Sequence, residues 1–325
     1  MERYCIGVDL GGTNIKAGLF TWEGELCAEH RGATEALRGS GIVLQNMKST
    51  ICDLLSTANV PLQKIACMGI GVPGLLDRKS GISIFAQNFT DWENVPMKAY
   101  FEQELHILTY IDNDVHMSLS GEWYCGAGQG SENLVLVSIG TGLGAGVVVD
   151  GRILYGATGS AGELGHMNMI RDGRPCRCGS SGCFGRYVSA LGLLRTVREK
   201  LEAGAQSLLL DWTEGTLDAI TADMVSAAYD KGDAVACAAM EETGTMLGFG
   251  LLNIINLYNP QCIIISGGVA AAGERLLGPA RKVVKERALK LAQSACRIVL
   301  GTLGDSAGMI GAAQHAQRQI AVSNV

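Results

Sequence analysis

The sequence has no run rich in lysine and arginine, and no apolar stretch that approaches the length of a membrane span. With a formal net charge of −6, the chain is unlike proteins that bind nucleic acid or an anionic membrane surface. A membrane-spanning helix is not expected either. The first residues also lack the long apolar segment and the small-residue cleavage site of a secretory signal. These absences predict a cytoplasmic protein without nucleic-acid or membrane partners.

The cysteines do not form the pattern of a disulfide framework. There are 11 of them, and an odd, scattered set is atypical of disulfide-bonded domains. Several lie in segments with strand or helix patterns, namely Cys5, Cys67, Cys237 and Cys262. We expect these to be small buried apolar side chains of a cytosolic protein. Only Cys176, Cys178 and Cys183 have the spacing of metal ligands.

The length and the apolar content predict two domains of ordinary size. The chain has 325 residues, of which 47% are apolar, enough for two sizeable cores. Strand patterns alternate with helical patterns, and several strands end in glycines, which indicates an α/β fold. A polar, glycine-rich join near 126–133 predicts an N-terminal lobe at 1–125 and a C-terminal lobe at 126–325. The last predicted helix, about 306–320, is a candidate to pack back on the first lobe.

The chain twice uses a strand, a tight glycine turn and a second strand, at 4–20 and again at 134–151. The first turn contains Gly11, Gly12 and Thr13, and the second contains the run from Gly140 to Gly144. Either turn alone reads equally well as a simple hairpin. Two such turns, each offering backbone N–H groups, would together suit a polyphosphate.

A histidine and three cysteines lie within a short glycine- and proline-containing stretch. They are His166, Cys176, Cys178 and Cys183. Sulfur and imidazole ligands in such a cluster suit a tetrahedral zinc ion, with unliganded buried thiols as the alternative. Glu163 comes three residues before the histidine, so a metal here would order a loop that also carries an acid.

Seven motifs occur in an order that resembles one known family. They are DLGGTNIK (9–16), GVPG (71–74), IDND (111–114), SIGTGLGAG (138–146), GELGH (162–166), CRCGSSGC (176–183) and ISGGV (265–269). This set resembles the ROK family of sugar kinases and repressors, and it covers nearly the whole chain. The resemblance implies a two-lobed actin-like ATPase fold, related to ribonuclease H, with a cleft between the lobes and a loop held by zinc. Because the chain begins at its first strand, without a helix-turn-helix module, we expect the kinase branch.

The resemblance implies a nucleotide site for ATP with Mg²⁺. Two phosphate loops and an adenosine-side loop would supply its residues, which are Asp9, Gly11, Gly12, Thr13, Lys16, Gly140, Thr141, Gly142, Gly144, Gly267 and Gly268. Glycines in such loops let backbone N–H groups approach phosphate closely. Asp9, at the end of a strand, could hold the metal directly or through water.

Asp114 follows a predicted strand and opens a predicted helix. Local sequence alone makes it a plain helix N-cap, whereas the resemblance implies a general base that takes the proton of a sugar hydroxyl. His116 replaces the amide that the family has two residues after its base. We expect His116 to be structural.

The resemblance also implies a sugar site and a structural zinc ion. The sugar contacts would be Gly74, Asn88, Asn113, Asp114, Glu163 and His166. His166 would bind zinc through one ring nitrogen and a sugar hydroxyl through the other. Trp92 reads either as a platform for sugar stacking or as local core.

One position departs from the family pattern. After the cysteines the family has a glutamate that contacts the sugar, and this chain has Gly185. From the resemblance as a whole, the first hypothesis is an ATP-dependent glucokinase acting on the 6-hydroxyl of glucose. A second is a kinase for another sugar, such as N-acetylmannosamine, N-acetylglucosamine, allose or fructose. A non-catalytic sugar sensor is the third, and a generic actin-like ATPase the fourth. We also expect a homodimer, as is usual in the family.

Overall fold

The computed structural model describes residues 3–323, which divide into two compact units. The first unit consists of the chain up to Gly130, the short segment Tyr155–Ala161 and the chain from Thr302 onward. The second unit consists of Ser131–Leu154 and Gly162–Gly301. Compared with a lobe at 1–125, the first unit also takes in the short segment and the C-terminal helix.

The first unit contains eight strands and four helices among the described residues. The strands are β1 (Tyr4–Leu10), β2 (Asn14–Thr21), β3 (Leu26–Ala33), β4 (Ile65–Val72), β5 (Leu75–Asp77), β6 (Ile82–Phe85), β7 (Glu93–Val95) and β8 (Thr109–Asn113). The helices are α1 (Ser40–Ala58), α2 (Met97–Leu105), α3 (Asp114–Cys125) and, at the C-terminus, α11 (Ala307–Ser323). The strand pair at 4–20, the helix that opens at Asp114 and the C-terminal helix lie where the sequence patterns predict them.

The main sheet of the first unit has the order β3-β2-β1-β4-β8. β1 pairs antiparallel with β2 and parallel with β4, which pairs parallel with β8. Asp9 of β1 lies beside Gly71 of β4, and Gly71 lies beside Asp112 of β8. The carboxyl ends of these three strands therefore meet at one edge of the sheet, where ligands of α/β folds bind.

The C-terminal helix α11 lies directly on this sheet. A Cβ atom at Gly7 of β1 would come within 2.0 Å of the carbonyl oxygen of Met309, and one at Gly69 of β4 within 1.9 Å of that of Ala312. Only glycine at these strand positions allows the helix backbone to come so close. The helix is thereby packed back on the first unit.

The second unit contains five strands and seven helices among the described residues. The strands are β9 (Leu134–Ile139), β10 (Leu143–Val149), β11 (Arg152–Ile153), β12 (Cys262–Ser266) and β13 (Arg297–Leu300). The helices are α4 (Gly185–Val188), α5 (Ala190–Glu202), α6 (Leu208–Trp212), α7 (Ala222–Asp230), α8 (Ala234–Tyr258), α9 (Glu274–Arg287) and α10 (Lys290–Ala295). α9 ends at Arg287, and the short α10 follows it as a separate helix from Lys290.

The sheet of the second unit repeats the pattern of the first. Its order is β11-β10-β9-β12-β13, with antiparallel pairing on one side of β9 and parallel pairing on the other. The repeated strand–turn–strand pattern in the sequence therefore corresponds to a repeated sheet. The first unit has in addition a small sheet of β5, β6 and β7, which the sequence patterns do not predict. Within the described residues, no helix is both long and apolar enough to cross a membrane.

Candidate functional site

The first glycine turn joins β1 to β2 and is held by backbone hydrogen bonds. The N–H of Gly11 donates to the carbonyl of Asn14 at 3.0 Å, and the hydroxyl of Thr34 donates to the carbonyl of Gly11 at 2.7 Å. A Cβ at Gly12 would meet nothing within 4 Å, and Gly12 does not have a left-handed backbone conformation. Neither packing nor backbone strain explains glycine at this position, whereas close approach by a bound group would.

Asp9 precedes this turn and has an unusual protonation equilibrium. Burial, together with the negative charge of Asp114, raises the pKa of its carboxyl to about 6, against an opposing effect of Lys16. The ammonium of Lys16 lies 3.1 Å from Oδ2 of Asp305. A Cβ at Gly308, in the first turn of α11, would lie 2.8 Å from Cγ of Asp9. Asp9 and Asp114 thus lie close enough to affect each other, as a metal or proton-transfer site requires.

Asp114 is the first residue of α3, and the N-cap of this helix is Asn113. The side-chain oxygen of Asn113 accepts a hydrogen bond from the N–H of Val115 at 2.9 Å. The alternative that Asp114 is a plain N-cap is therefore wrong, because its neighbour performs that role. The carboxylate lies at a helix N-terminus, where the dipole favours the ionised form.

Two of the predicted sugar contacts meet beside Asp114. The side-chain amide of Asn113 donates to the carbonyl oxygen of Gly74 at 3.4 Å. Gly74 has a φ of 90°, and a Cβ there would lie 2.1 Å from the carbonyl oxygen of Phe85. Glycine is required at this position on both counts. Asn88, three residues after Phe85, is exposed.

Trp92 belongs to the core of the first unit. Its side chain is 2% exposed, its indole N–H donates to the hydroxyl of Ser83 at 2.8 Å, and its ring packs on that of Phe89. A platform for sugar stacking would need an exposed ring face, so that alternative is wrong.

A buried polar cluster behind Asp114 was not predicted from the sequence. Asp112 is 1% exposed; its Oδ1 lies 3.1 Å from Nδ1 of His116, and its Oδ2 accepts a hydrogen bond of 2.6 Å from Tyr155. The guanidinium of Arg78 lies 3.2 Å from the centre of the Tyr155 ring. His116 is structural in this arrangement, as expected. The nearby IDND motif was the only sequence signal for the cluster.

The protonation of this cluster follows from its contacts. Burial opposes ionisation of Asp112, but the hydrogen bond and charge of His116, with smaller contributions from His315 and Tyr155, outweigh it and lower the pKa of the carboxyl. Burial and the neighbouring Asp112 raise the pKa of the Tyr155 hydroxyl. Tyr155 is therefore a neutral donor to an ionised acceptor, which makes this a strong hydrogen bond.

The second glycine turn, in the second unit, has the same open character as the first. The N–H of Gly140 donates to the carbonyl of Gly142 at 2.9 Å, and a Cβ at either would meet nothing within 4 Å. Thr141 between them is exposed, and Gly144 follows in β10. These glycines too have no explanation in packing alone.

The turn after β12 lies beside the second glycine turn. Ser266 of β12 is in register with Ser138 of β9. Gly267 has a φ of 85°, and a Cβ there would lie 2.6 Å from the carbonyl oxygen of Ile139. A Cβ at Gly268 would meet nothing within 4 Å. The two turns therefore meet at the carboxyl ends of neighbouring parallel strands.

The GELGH turn packs against the start of β10. A Cβ at Gly162 would lie 2.7 Å from the carbonyl oxygen of Ala145, and one at Gly165 2.2 Å from that of Leu143. Glu163 and His166 are exposed on either side of Gly165. The turn thus presents an acid and an imidazole next to the second glycine turn.

The predicted metal ligands come together in the second unit. One ligand atom from each of His166, Cys176, Cys178 and Cys183 lies within 4.8 Å of the others. The sulfur of Cys176 lies 3.7 Å from Nδ1 of His166, and the sulfurs of Cys178 and Cys183 are also 3.7 Å apart. Bond lengths of about 2.3 Å from zinc to sulfur at tetrahedral angles place two sulfurs about 3.8 Å apart. The donor set and its spacing therefore fit zinc.

The thiols of the cluster differ in acidity. A backbone hydrogen bond from Ser180, with contributions from Cys176, lowers the pKa of Cys178 to about 7. Burial raises the pKa of Cys183 to about 12. Metal binding would require both to be thiolates, so it is coupled to proton release.

Gly185 begins α4 and lies next to the GELGH turn. A Cβ at this position would lie 3.3 Å from the carbonyl oxygen of Gly165 and 3.4 Å from the Cβ of Leu143. A side chain at 185 would therefore start beside Gly165, which lies between Glu163 and His166 in the sequence. With glycine at 185, no side chain extends from this position next to the GELGH turn.

Comparison with known proteins assigns the chain. The sequence model of the ROK family matches residues 5–319. A glucokinase of Halalkalibacterium halodurans is 34% identical over 95% of this chain and 94% of its own. The crystal structure of a ROK family glucokinase from Streptomyces griseus, in complex with glucose and AMPPNP, is 30% identical. It has a TM-score of 0.81 and covers 97% of this chain and 99% of its own.

These matches establish the class of the fold and then the family. The two α/β units form the actin-like ATPase fold. The chain belongs to the ROK family. Its relatives include a xylose repressor of Caldicellulosiruptor bescii, 29% identical over 94% of this chain but only 76% of the repressor. Family membership alone therefore does not separate kinases from repressors.

Proposed function

We propose that the protein transfers the γ-phosphoryl group of ATP to a hydroxyl of a hexose. The leading candidate for the substrate is glucose, phosphorylated on its 6-hydroxyl. The observation that carries this proposal is the row of carboxyl-terminal strand ends in the first unit. These ends place Asp9, Gly74, Asn113 and Asp114 at one edge of the sheet. The relatives named glucokinase support the same activity.

In this proposal Asp114 is the general base. Its carboxylate accepts the proton of the sugar hydroxyl as the hydroxyl oxygen bonds to the γ-phosphorus. The bond from that phosphorus to the bridging oxygen breaks, and ADP leaves with the electron pair. Mg²⁺, when bound, would neutralise charge on the phosphates. Asp9 is the side chain that would hold it, and Lys16 would contribute a positive charge nearby.

The glycine turns and the exposed polar side chains near them would bind the nucleotide and the sugar. The open turns at Gly11–Thr13 and Gly140–Gly144 would bind phosphates through backbone N–H groups, and Gly267–Gly268 would lie on the adenosine side. Asn88, Asn113, Glu163 and His166 would bind sugar hydroxyls. Because Nδ1 of His166 faces Cys176, its Nε2 remains for the sugar. Zinc would then order the loop without taking part in the chemistry.

Asp114→Asn tests the assignment of the base. We expect kcat to fall by about 10²- to 10⁴-fold, while calorimetry shows sugar binding close to that of the wild type. Asp53→Asn, in the exposed face of α1, is the matched control and should keep full activity. Turnover of Asp114→Asn near the wild-type level would remove Asp114 from the role.

The identity of the sugar is tested by a panel. Glucose, allose, fructose, N-acetylglucosamine and N-acetylmannosamine would be compared with ATP and Mg²⁺ in an assay for ADP release. Gly185 favours the second candidate function, a kinase for a sugar with a bulkier substituent, because it leaves room beside the GELGH turn. Highest kcat/KM for glucose supports the first proposal. Binding without ADP release for every sugar would instead favour a sensor.

The assembly is proposed to be a homodimer in the cytoplasm, as in the family. Light scattering of the purified protein at micromolar concentration would give the mass of the particle. A mass equal to one chain would contradict the dimer.

A further inference from the structure

Helix α3 carries a second acid, at the opposite end from Asp114, and this one is buried. Glu122 lies in the last turns of α3 and is 0% exposed. The chain leaves the first unit after Gly130 and, apart from the short segment Tyr155–Ala161, returns to it at Thr302. Glu122 is therefore close in sequence to the first of these two connections.

The carboxylate of Glu122 binds both connections. Its Oε2 accepts a hydrogen bond of 2.9 Å from the N–H of Ala127, and its Oε1 accepts one of 2.8 Å from the N–H of Leu303. The hydroxyl of Thr302 lies 3.3 Å from Oε2. One side chain thus joins the segment that follows α3 to the segment that precedes α11, although they are far apart in sequence.

The chemistry of this contact requires a carboxylate. No cation among residues 3–323 forms an ion pair with Glu122, so its charge is balanced by N–H and O–H donors alone. A carboxylate has only acceptors and can serve every donor. A glutamine would turn its NH₂ group towards one of the backbone N–H groups and leave that N–H unpaired.

Gly126, in the segment that follows α3, lies very close to the carboxylate of Glu122. A Cβ at this position would lie 2.2 Å from Oε2 of Glu122. The contact with Glu122 therefore accounts for glycine at this position.

The two segments lead to the groups assigned to catalysis. Glu122 is on the helix that begins with Asp114. Leu303 is followed by Asp305, which pairs with Lys16, and by Gly308, which lies against Asp9. A carboxylate that holds the 302–303 segment on α3 thereby sets the position of Asp114 relative to Asp9 and Lys16.

We propose that Glu122 is a positioning residue for phosphoryl transfer, which it supports by fixing the connections at 126–128 and 302–303 to α3. The inference rests on the proposed kinase function, but its structural part does not need activity to be tested. Glu122 touches neither substrate in this proposal. It acts through the backbone that carries Asp114, Asp305 and Gly308.

Hydrogen–deuterium exchange tests the clamp directly. In Glu122→Gln, we expect the amides of 126–130 and 302–306 to exchange at least about 10-fold faster than in the wild type, because hydrogen bonds to a charged acceptor are lost. Glu104→Gln, which removes an exposed carboxylate paired with Lys48, is the control and should leave these amides unchanged. Unchanged exchange in Glu122→Gln would overturn the proposal.

Kinetics test the positioning role, at a temperature where circular dichroism shows every variant fully folded. We expect Glu122→Gln to lower kcat about 10-fold or more and to raise the KM for ATP, with the KM for the sugar within about twofold of the wild type. A purely structural residue would leave the kcat of the folded enzyme unchanged, and that result would also overturn the proposal.

A second variant covers the case in which Glu122→Gln does not fold. Gly126→Ala keeps the charge but pushes the carboxylate from its place, so it should reproduce the faster exchange and the lower kcat. Wild-type exchange and kcat in this variant would contradict the clamp. If the wild type phosphorylates no sugar of the panel, the kinase function fails, and the exchange result still decides whether Glu122 holds the two segments.

Discussion

Tyr155 donates a hydrogen bond of 2.6 Å to the buried carboxylate of Asp112. Tyr155 begins a seven-residue segment, Tyr155–Ala161, that belongs to the first unit although the chain on both sides belongs to the second. The guanidinium of Arg78 lies over one face of the Tyr155 ring. The rings of His116 and Tyr155 pack edge to face. Through Tyr155 the segment thus contacts the buried polar cluster of the first unit, directly before the GELGH turn in the sequence.

Tyr155→Phe should destabilise the protein by about 1.5–3 kcal/mol, because it removes a hydrogen bond to an ionised, buried acceptor but keeps the ring. Urea denaturation gives the free energy of unfolding. Tyr258→Phe, at the end of α8, removes a partly exposed hydroxyl and is the control, with an expected change below about 0.5 kcal/mol. Equal effects of the two substitutions would contradict a special role for the contact with Asp112.

Asp9→Asn should stabilise the protein at neutral and alkaline pH. The pKa of Asp9 rises from 3.8 to about 6 on folding, so the folded state binds the proton more tightly and ionisation destabilises it. The penalty is absent below about pH 3.8, develops between about 3.8 and 6, and is complete above. Since the side chain is partly exposed, we expect a gain of about 1–2 kcal/mol at pH 8.

The gain from Asp9→Asn should shrink as the pH falls from 8 to 5. It would be measured by urea denaturation without ATP or added Mg²⁺, with Asp53→Asn as the control. A gain that does not change with pH would mean that the pKa of Asp9 is not raised. The same variant should lose phosphoryl transfer, because the side chain proposed to hold Mg²⁺ would be neutral.

The zinc assignment predicts about one zinc ion per chain, measured by mass spectrometry of the purified protein. Cys178→Ser should remove most of it and lower the melting temperature, because binding of a structural metal adds to folding stability. Affinity for the sugar should fall more than affinity for ATP, since Glu163 and His166 lie on the same loop. Cys237→Ser, in α8 and outside the ligand group, should change none of these. Purified protein without zinc would contradict the site.

Gly185→Glu should improve the use of glucose. A carboxylate that begins beside Gly165 could bridge sugar hydroxyls, and one such charged hydrogen bond corresponds to about a 10-fold or larger rise in kcat/KM. Phosphorylation of N-acetylhexosamines should fall, because the new side chain occupies the room they would use. Gly278→Glu is a matched control, since a side chain there meets nothing within 4 Å. No change for any sugar would show that position 185 does not face the substrate.

The parts of the fold that the sequence predicts are those with local signals. The strand–turn–strand units, the helix that starts at Asp114 and the His/Cys group all depend on residues close together in the chain. Periodicity and spacing record such neighbours directly. The three short strands between Leu75 and Val95 carry too few residues for a periodic pattern.

The contacts that escape prediction join residues far apart in the sequence. Tyr155 is 43 positions from Asp112, and Leu303 is 181 positions from Glu122. Glu122 reads as an ordinary helix residue, since nothing nearby in the sequence indicates that it is buried. Its partners are also backbone N–H groups, which every residue except proline has. Only the three-dimensional arrangement identifies such contacts.

The position of α11 has a consequence for synthesis of the protein. Because this helix covers β1 and β4 through Gly7 and Gly69, these two strands, which precede the second unit in the chain, wait for a helix that follows it. The second unit lies between them in the chain and has a core of its own residues, whereas β1 and β4 of the first unit lack the helix that covers them until α11 is made. The first unit can therefore close only once α11 has been translated, and a ribosome stalled before α11 would hold a partly covered sheet.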